Sequence, residues 1–351
     1  MREIKVRAER EYTVKIDCSW QTQLAQILVD RKRAAVIVSE SMRERLPDFD
    51  NLNPEVAIFA IPDGEAGKSQ ATLLQLWNWL GAAGFTKSDL LIGIGGGAVT
   101  DITGYVAASW LRGIDWLAIP TTVAGAVDAA IGGKTAINSE YGKNLIGAFH
   151  SPISVFIDFQ WFETLSDRDF AAGLAEVVKT GFIADGEILK KVIGLPIAQI
   201  RGDRELVIDL VERTIAVKAE VVSEDFKESF HREILNYGHT LGHAVELDTN
   251  FELRHGECVS IGMAFMARLQ EDLGLINSDL AQLHFDILQG LGLPTVYKRT
   301  AWPKILGHMK LDKKSRSGAL RFVTIRGVGE VDRLESPDEE LLFRAYEKVS
   351  K

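Results

Sequence analysis

Hydrophobic and polar residues follow two periodicities in the first half of the chain. Alternation with a period of two predicts a β-hairpin over residues 1–17, because successive side chains of a strand point to opposite faces. Beyond it, short apolar runs typical of buried strands alternate with segments spaced by three and four, typical of helices. The predicted strands are 34–39, 55–61, 89–95, 115–120 and 153–158, and the predicted helices are 22–31, 69–84 and 100–110. This alternation predicts a mostly parallel sheet with helices on both faces.

The pattern changes after about residue 160, where spacings of three and four dominate and predict a mainly helical second half. Residues 319–335 are an exception typical of a hairpin, followed by a terminal helix. A chain of 351 residues exceeds the size that one hydrophobic core usually serves. We therefore predict a Rossmann-like α/β domain over residues 1–159, a helical domain over residues 160–351, and ligands in the cleft between them.

Composition and charge exclude several classes of protein. No apolar run reaches the roughly 18 residues that span a bilayer, and the first residues lack a signal-peptide core, so we expect a cytoplasmic protein without a membrane partner. The formal net charge of −9 argues against a nucleic-acid partner, because a phosphate backbone requires a broad basic surface. Cys18 and Cys258 are far apart, which argues against a disulfide framework or a thiolate zinc site. Any metal must therefore use histidines and carboxylates.

A glycine-rich segment, "GIGGGAVTD" (93–101), follows a predicted strand and opens a helix. Small residues in this setting let a diphosphate approach the positive helix N-terminus. Gly93, Gly95 and Ala98 fit the GxGxxA pattern, although any tight strand-to-helix turn can show it. The three consecutive glycines and Asp101 one turn later favour the binding interpretation over a plain turn.

An earlier loop, "PDGEAGKS" (62–69), also follows a predicted strand. It carries Glu65 and Lys68 at the carboxyl end of that strand, where α/β sheets hold ligands. Taken together, the two loops predict a dinucleotide site.

Four of the seven histidines lie within 25 residues: His231, His239, His243 and His255. On a helix, His239 and His243 lie one turn apart on one face, as in HExxH zinc sites, but Thr240 stands where those proteases have glutamate. The pair alone is equally compatible with a structural or surface role. His255 opens the next predicted helix, and Glu176 stands among apolar residues, where a carboxylate usually has a metal or a basic partner. A His/Glu site would suit zinc and leave a coordination position for substrate.

Basic residues offer a second kind of candidate chemistry. Residues 130–150 are too rich in glycine and asparagine to predict a packed element, and their pattern is equally compatible with a solvated loop and with a binding segment. Lys179 follows Glu176 by three residues and shares its helical face. Each of the remaining cations is, taken alone, compatible with simple surface charge: Lys134, Lys143, Lys218, Arg232, Lys313 and Lys314.

These segments together resemble the 3-dehydroquinate synthase family in its bacterial form. The matching motifs occur in the family's order over nearly the whole chain: "PDGEAGK", "GGGAVTDITGYVAASWLRG", "IPTT", "VDAAIGGKTAIN", "GKNLIGAFH", "AEVVKTGFI", "VKAEVV", "REILNYGHTLGHAVE", "RHGECVSIGM" and "LDKKSRSGALRFV". Several long motifs in register are far more specific than one glycine loop.

The resemblance implies a carbon–oxygen lyase of the shikimate pathway. Such an enzyme uses NAD and a divalent metal, usually zinc, with cobalt as the alternative. It converts the sugar acid phosphate 3-deoxy-D-arabino-heptulosonate 7-phosphate (DAHP) into 3-dehydroquinate and phosphate. The steps are transient oxidation, phosphate elimination, reduction and aldol cyclisation. The resemblance also implies a homodimer.

Matched motif by motif, the resemblance implies the following site residues. The metal ligands would be Glu176, His239 and His255. The NAD contacts would be Asp63, Gly64, Glu65, Ala66, Gly67, Lys68, Gly97, Ala98, Val99, Thr100, Asp101, Thr121, Thr122, Lys134, Lys143, Phe162 and Thr164. The phosphate pocket would use Lys134, Asn144, Asn236, one of Lys313 and Lys314, and Arg112, which in the family comes from the other subunit.

Further roles follow from the same resemblance. Lys218 and Arg232 would hold the substrate carboxylate, and Asp128 and Lys179 would contact its hydroxyls. His243 would be the acid/base relay. One helical face would then carry this relay, the metal ligand His239 and the phosphate-binding residue Asn236.

Three alternative functions remain open. A sister cyclase would act on another sugar phosphate, such as sedoheptulose 7-phosphate, but there the carboxylate and phosphate contacts change, whereas here Lys218, Arg232, Asn236 and His243 match. A metal-dependent polyol dehydrogenase would share the two-domain plan but should lack the "GGKT" and "GKN" anion sites that this chain keeps. A catalytically inactive binding protein should have lost the ligand and lysine positions.

Overall fold

The chain forms two compact units. The computed structural model describes residues 1–49, 55–140, 142–227, 231–315 and 320–351, with the side chains of 311–315 left out. Unit 1 comprises Met1–Leu165 and Lys218–Lys227, and unit 2 comprises Ser166–Val217 and Glu228–Lys351. Among the described residues, no helix has both the length and the apolar character needed to cross a membrane.

The described residues of unit 1 form the strands β1 (Arg2–Arg7), β2 (Glu11–Ile16), β3 (Arg33–Ser39), β4 (Glu55–Ile61), β5 (Leu90–Gly95), β6 (Asp115–Pro120), β7 (Lys134–Ser139), β8 (Gly142–Phe149) and β9 (Ser154–Ile157). Seven of these strands form one sheet, in the order β1-β2-β9-β6-β5-β3-β4. Strands β1 and β2 pair antiparallel, and the other pairings of this sheet are parallel. The interior strand β5 is buried along its whole length, as its uninterrupted apolar run predicts. The predicted fold class is confirmed.

Glycines on β5 allow a helix to pack closely on the sheet. The helices of unit 1 are α1 (Trp20–Leu28), α2 (Glu40–Arg43), α3 (Gln70–Ala82), α4 (Gly97–Ser109) and α5 (Gln160–Glu163). A Cβ on Gly93 would lie 2.9 Å from Thr103 Oγ1 of α4, and one on Gly95 would lie 2.5 Å from Val99 Cγ2. Only glycine therefore permits this approach, which brings the start of α4 against the end of β5.

The prediction that residues 130–150 contain no packed element is wrong. Strands β7 and β8 form an antiparallel ribbon there. Thr135, Ala136 and Ile137 are buried, and a Cβ on Gly147 would lie 2.4 Å from the Thr135 carbonyl oxygen. The glycines that weakened the strand prediction thus allow close strand pairing, because they leave room for the facing backbone.

Unit 2 is mainly helical, as predicted. Its helices are α6 (Asp167–Ile183), α7 (Gly186–Val192), α8 (Ile197–Gly202), α9 (Arg204–Glu224), α10 (His239–Asp248), α11 (His255–Asp272), α12 (Ser278–Gly290), α13 (Trp302–Ser315) and α14 (Glu339–Glu347). Residues 218–224 of α9 belong to unit 1. The predicted hairpin is present as β10 (Arg321–Gly327) and β11 (Glu330–Glu335), which pair antiparallel.

Helix α11 makes backbone contacts with two neighbouring segments of unit 2. A Cβ on Gly256 would lie 1.7 Å from the Ala172 carbonyl oxygen of α6. A Cβ on Gly262 would lie 1.8 Å from the Gly238 carbonyl oxygen, just before α10. Such distances exclude any side chain at either position, so these glycines fix how closely α6, α10 and α11 pack.

Candidate active site

Three side chains of unit 2 converge from three helices. Glu176 lies on α6, His239 is the first residue of α10, and His255 is the first residue of α11. Glu176 Oε1 lies 3.5 Å from His239 Nε2 and 3.2 Å from His255 Nε2. Ligand atoms bound about 2.0–2.1 Å from a tetrahedral ion are about 3.3 Å apart. The triad is therefore spaced to hold one metal ion.

The carboxylate of Glu176 is buried and ionised, and one of its oxygens is positioned to bind a cation. Its side chain is buried, and Oε1 accepts no hydrogen bond of ordinary geometry from the described residues. The other oxygen, Oε2, accepts a hydrogen bond from Lys179 Nζ. Burial alone would raise the pKa of Glu176, but the charge of Lys179 and the interactions with His239 and His255 outweigh it and hold the pKa well below its usual range. One ionised, buried carboxylate oxygen and two imidazole nitrogens together form a donor set that suits zinc.

His239 is held in the tautomer that a metal requires. Burial and the nearby charge of Lys179 lower its pKa well below the usual value, so the ring is neutral at physiological pH. Its Nδ1 lies 3.0 Å from the carbonyl oxygen of Tyr237, which can only accept a hydrogen bond. The proton therefore lies on Nδ1, and Nε2 keeps the lone pair that faces Glu176.

Two further side chains lie beside the triad. The ring of His243 is half-buried, with its centroid 5.2 Å from that of His239 and 5.9 Å from that of His255. Glu246 Oε2 lies 3.6 Å from His255 Nδ1. Burial lowers the pKa of His255, but the carboxylates of Glu246 and Glu176 raise it to about 10, so a metal that binds Nε2 must displace a proton from this ring. The sequence interpretation missed Glu246, although it follows His243 by three residues on the same face of α10.

The prediction of one helical face carrying Asn236, His239 and His243 is wrong for Asn236. A 3-10 helix covers His231–Asn236, and α10 begins only at His239. Between them Gly238 has a φ of +77°, a left-handed conformation that interrupts the helical path. Arg232, in the same 3-10 helix, is buried.

Lys68 joins the predicted nucleotide-binding segments of unit 1. Its side chain is only 1% exposed, and Nζ lies 2.6 Å from Asp101 Oδ2 and 2.5 Å from Asn144 Oδ1. Burial raises the pKa of Asp101 even with the Lys68 charge beside it. The loop after β4, the start of α4 and the ribbon strand β8 therefore meet at one amino group.

Glu65 extends this cluster. It lies in the 3-10 helix Gly64–Gly67, with Oε1 3.0 Å from Lys143 Nζ and Oε2 2.7 Å from Asn138 Nδ2. Burial would raise the pKa of Glu65, but the charges of Lys143 and Lys68 outweigh it and lower the pKa. Structure thus brings together five residues that the sequence assigned to the NAD and phosphate sites: Glu65, Lys68, Asp101, Lys143 and Asn144.

The start of α4 has the form of an anion site. Its N-cap is Gly96, which has no side chain to occupy the first backbone N–H groups. A Cβ on Gly97 would lie 3.1 Å from Ala129 Cβ, so the backbone is closely packed there. Thr121 follows β6 and donates its N–H to the Gly95 carbonyl oxygen at 2.9 Å, with Thr122 next in the chain. Backbone amides at the N-terminus of a 13-residue helix fit a diphosphate group.

The other predicted site residues of unit 1 have diverse surroundings. Lys218 Nζ donates hydrogen bonds to Asp128, at 2.6 Å to its carbonyl oxygen and also to its carboxylate. Phe162 is buried, with its ring 5.0 Å from that of Phe159. Val99 and Thr100 are also buried. Among these other predicted residues of unit 1, the exposed ones are Asp63, Gly64, Ala66, Arg112, Lys134 and Thr164.

Two predicted lysines lie outside the described side chains. Lys313 and Lys314 belong to the last turns of α13, where only the backbone is described. Arg112 is at the end of the 3-10 helix Trp110–Arg112 and has a φ of +65°.

Comparison with known proteins agrees with the sequence resemblance. The family models described as 3-dehydroquinate synthase N-terminal and C-terminal match residues 58–172 and 173–315. In an alignment of 353 positions, the chain is 45% identical to the 3-dehydroquinate synthase of Corynebacterium diphtheriae, and the alignment covers 99% of this chain and 98% of that protein. It is 50% identical to that of Corynebacterium efficiens, with 84% and 82% covered.

A solved structure has the same fold. The 2-epi-5-epi-valiolone synthase of Streptomyces hygroscopicus, solved with NAD+ and Zn2+ bound, superposes with a TM-score of 0.91 over 99% of each chain at 24% identity. Since both halves match the family models and relatives near 45% identity span the whole length, this chain belongs to the 3-dehydroquinate synthase family.

Proposed function

We propose that this chain catalyses the conversion of DAHP into 3-dehydroquinate and inorganic phosphate, with NAD oxidised and restored in each turnover. The observation that carries the proposal is the triad of Glu176, His239 and His255, which stands in a chain of this family with its ligand atoms aimed at one point. Bound metal would acidify a substrate hydroxyl, and bound NAD would accept and return hydride.

The metal centre belongs to unit 2 in this proposal. Glu176 Oε1 and the Nε2 atoms of His239 and His255 hold the ion, and Lys179 keeps the second oxygen of Glu176 in place. His243, half-buried beside two ligand rings, carries protons to and from the reacting hydroxyl. Three protein ligands leave a fourth coordination position for substrate, and catalysis at zinc also needs a proton carrier close to that position.

The NAD site belongs to unit 1. The N-terminal amides of α4 bind the diphosphate, and the cluster around Lys68 and Glu65 holds the loops that flank it. We accordingly assign NAD binding to a domain of residues 1–159 and metal and substrate binding to a domain of residues 160–351.

The remaining residues keep the roles that the family resemblance implies. Phosphate binding is assigned to Lys134, Asn144, Asn236, Arg112 and one of Lys313 and Lys314; carboxylate binding to Lys218 and Arg232; and hydroxyl contacts to Asp128 and Lys179. We also propose a cytoplasmic homodimer in which Arg112 serves the site of the partner subunit. Positioning of this kind lowers the barrier by fixing charge before the reaction starts.

Two alanine variants test the assignment of roles in the metal centre. His239→Ala should lose bound zinc, because one of three ligand atoms is removed, whereas His243→Ala should keep zinc and release phosphate from DAHP about 100-fold more slowly. Metal content after dialysis and the initial rate of phosphate release give the two readouts. Equal loss of zinc in both variants would contradict the division between ligand and proton carrier.

A further inference from the structure

The interior of unit 2 holds a chain of buried polar groups that the roles above do not use. Tyr237, Gln270 and His284 are all fully buried. Tyr237 Oη lies 2.9 Å from His284 Nε2 and 3.0 Å from Gln270 Nε2. His284 Nδ1 lies 2.8 Å from the Leu280 carbonyl oxygen, and Gln270 Oε1 accepts a hydrogen bond from the N–H of Ile325. Buried polar groups of this kind are costly to leave unpaired.

Every proton in this chain of hydrogen bonds has one allowed position. The Leu280 carbonyl can only accept, so His284 Nδ1 carries the proton and Nε2 accepts. Tyr237 must therefore donate its hydroxyl proton to His284, which leaves its oxygen to accept from the Gln270 amide. The Ile325 N–H fixes the orientation of that amide. The network thus holds the Tyr237 side chain in one place and in one hydrogen-bonding state.

The backbone of Tyr237 is the link to the metal centre. Its carbonyl oxygen accepts the hydrogen bond from His239 Nδ1, which leaves Nε2 free of a proton. The intervening Gly238 packs against α11, where a Cβ would lie 2.9 Å from the Met263 nitrogen. The carbonyl of Tyr237 is therefore held from both sides, by its own side chain and by Gly238.

The network also contacts the helix that carries the carboxylate ligand. The ring of His284 stacks on Phe182 of α6, with centroids 3.6 Å apart and planes inclined by 5°. Gln270 lies on α11, which begins at the ligand His255, and Tyr237 precedes the ligand His239 by two residues. The three ligand-bearing segments are thus each connected to one buried network.

We propose that Tyr237, Gln270 and His284 are positioning residues for the metal ligand His239. By fixing the Tyr237 side chain, they hold its carbonyl where it selects the His239 tautomer with an unprotonated Nε2. The inference rests on the proposed metal site. Partners that orient a ligand in this way typically change metal affinity by about 10–100-fold when they are lost.

The test compares two identical substitutions at buried tyrosines. Tyr237→Phe removes the hydroxyl from the network. Tyr346→Phe is the matched control, because Tyr346 is equally buried in α14 and its Oη donates to the Lys298 carbonyl oxygen at 2.7 Å. The readouts are the Zn2+ dissociation constant, from competition with a chromophoric chelator, and the melting temperature of the metal-free protein.

The positioning role predicts a specific combination of results. Both variants should melt at a lower temperature without metal, but only Tyr237→Phe should weaken zinc binding, by about 10-fold or more. His284→Phe, which keeps a ring on Phe182 and removes the acceptor for Tyr237, should weaken zinc binding in the same way. It serves as the test if Tyr237→Phe does not fold.

Three results would overturn the inference. Unchanged zinc affinity in Tyr237→Phe and His284→Phe would show that the network serves stability alone, as would equal weakening in Tyr346→Phe. Zinc affinity that is undiminished in His239→Ala would instead overturn the proposed metal site, and this inference with it.

Discussion

At the scale of single residues, His284 is a buried histidine that the fold keeps uncharged. Burial lowers its pKa from the ordinary value of 6.5 to about 4, although its hydrogen bond to Leu280 opposes the change. Between these values the unfolded chain binds more protons than the folded chain. The stability that the neutral ring contributes is therefore complete above pH 6.5 and is lost as the pH falls toward about 4.

The titration of His284 predicts a pH-dependent difference between wild type and His284→Phe. The difference between 6.5 and about 4 corresponds to about 3 kcal/mol of unfolding free energy at most. Relative to the variant, wild type should lose this amount progressively as the pH is lowered through that window, because phenylalanine does not titrate. Urea unfolding with a chelator present, at several pH values, measures the difference. A constant gap across the window would show that His284 titrates normally in the folded state.

The metal ligands could be predicted from the sequence, and so could Lys179 as a neighbour of Glu176. Glu176, His239 and His255 stand in long family motifs, and the structure places them together. The contact between Tyr237 and Gln270 could not be predicted, because a hydrogen bond over 33 residues depends on the packing of two elements. Asn236 was placed on the wrong element because the left-handed φ of Gly238 cannot be read from helical spacing.

At the scale of elements, the glycine positions on α11 predict opposite effects of one substitution. Gly262→Ala should destabilise the protein by about 1–3 kcal/mol, because its Cβ would lie 1.8 Å from the Gly238 carbonyl oxygen, and the helices must separate. Gly307→Ala is the matched control, since a Cβ there meets nothing within 4 Å in α13, and it should stabilise by about 0.5–1 kcal/mol.

Chemical unfolding of the two glycine variants measures both effects. If Gly262→Ala were as stable as Gly307→Ala, the close packing of α11 on the segment before α10 would be contradicted. Gly262→Ala, but not Gly307→Ala, should also bind zinc more weakly. The reason is that a Cβ on Gly262 would displace Gly238, which His239 follows directly.

Strands buried on both faces were predictable because their apolar runs are continuous, as in β3 and β5. The ribbon of β7 and β8 was not, because β-propensity is low in a segment so rich in glycine and asparagine. There the absence of a side chain at Gly147 allows its close approach to Thr135 in the facing strand. Helix α4 begins at Gly97, before the predicted start at residue 100, because small residues conceal the helical period.

At the scale of the whole molecule, the change of periodicity near residue 160 correctly indicated two kinds of architecture. The sequence could not show that Lys218–Lys227 joins unit 1. That segment is tied there by the contact of Lys218 with Asp128, 90 residues earlier, and contacts between distant residues leave no periodic signal. The assignment of NAD and of metal and substrate to separate domains stays a prediction.

The central claim is that one chain recycles NAD while it eliminates phosphate from DAHP. Parallel measurement of phosphate and NADH, with purified protein, Zn2+, limiting NAD and excess DAHP, tests it most directly. We predict many phosphates released per NAD, with no lasting rise in NADH absorbance, and loss of the reaction when a chelator removes the metal. Lasting accumulation of NADH with glycerol, or turnover of sedoheptulose 7-phosphate but not of DAHP, would contradict the claim.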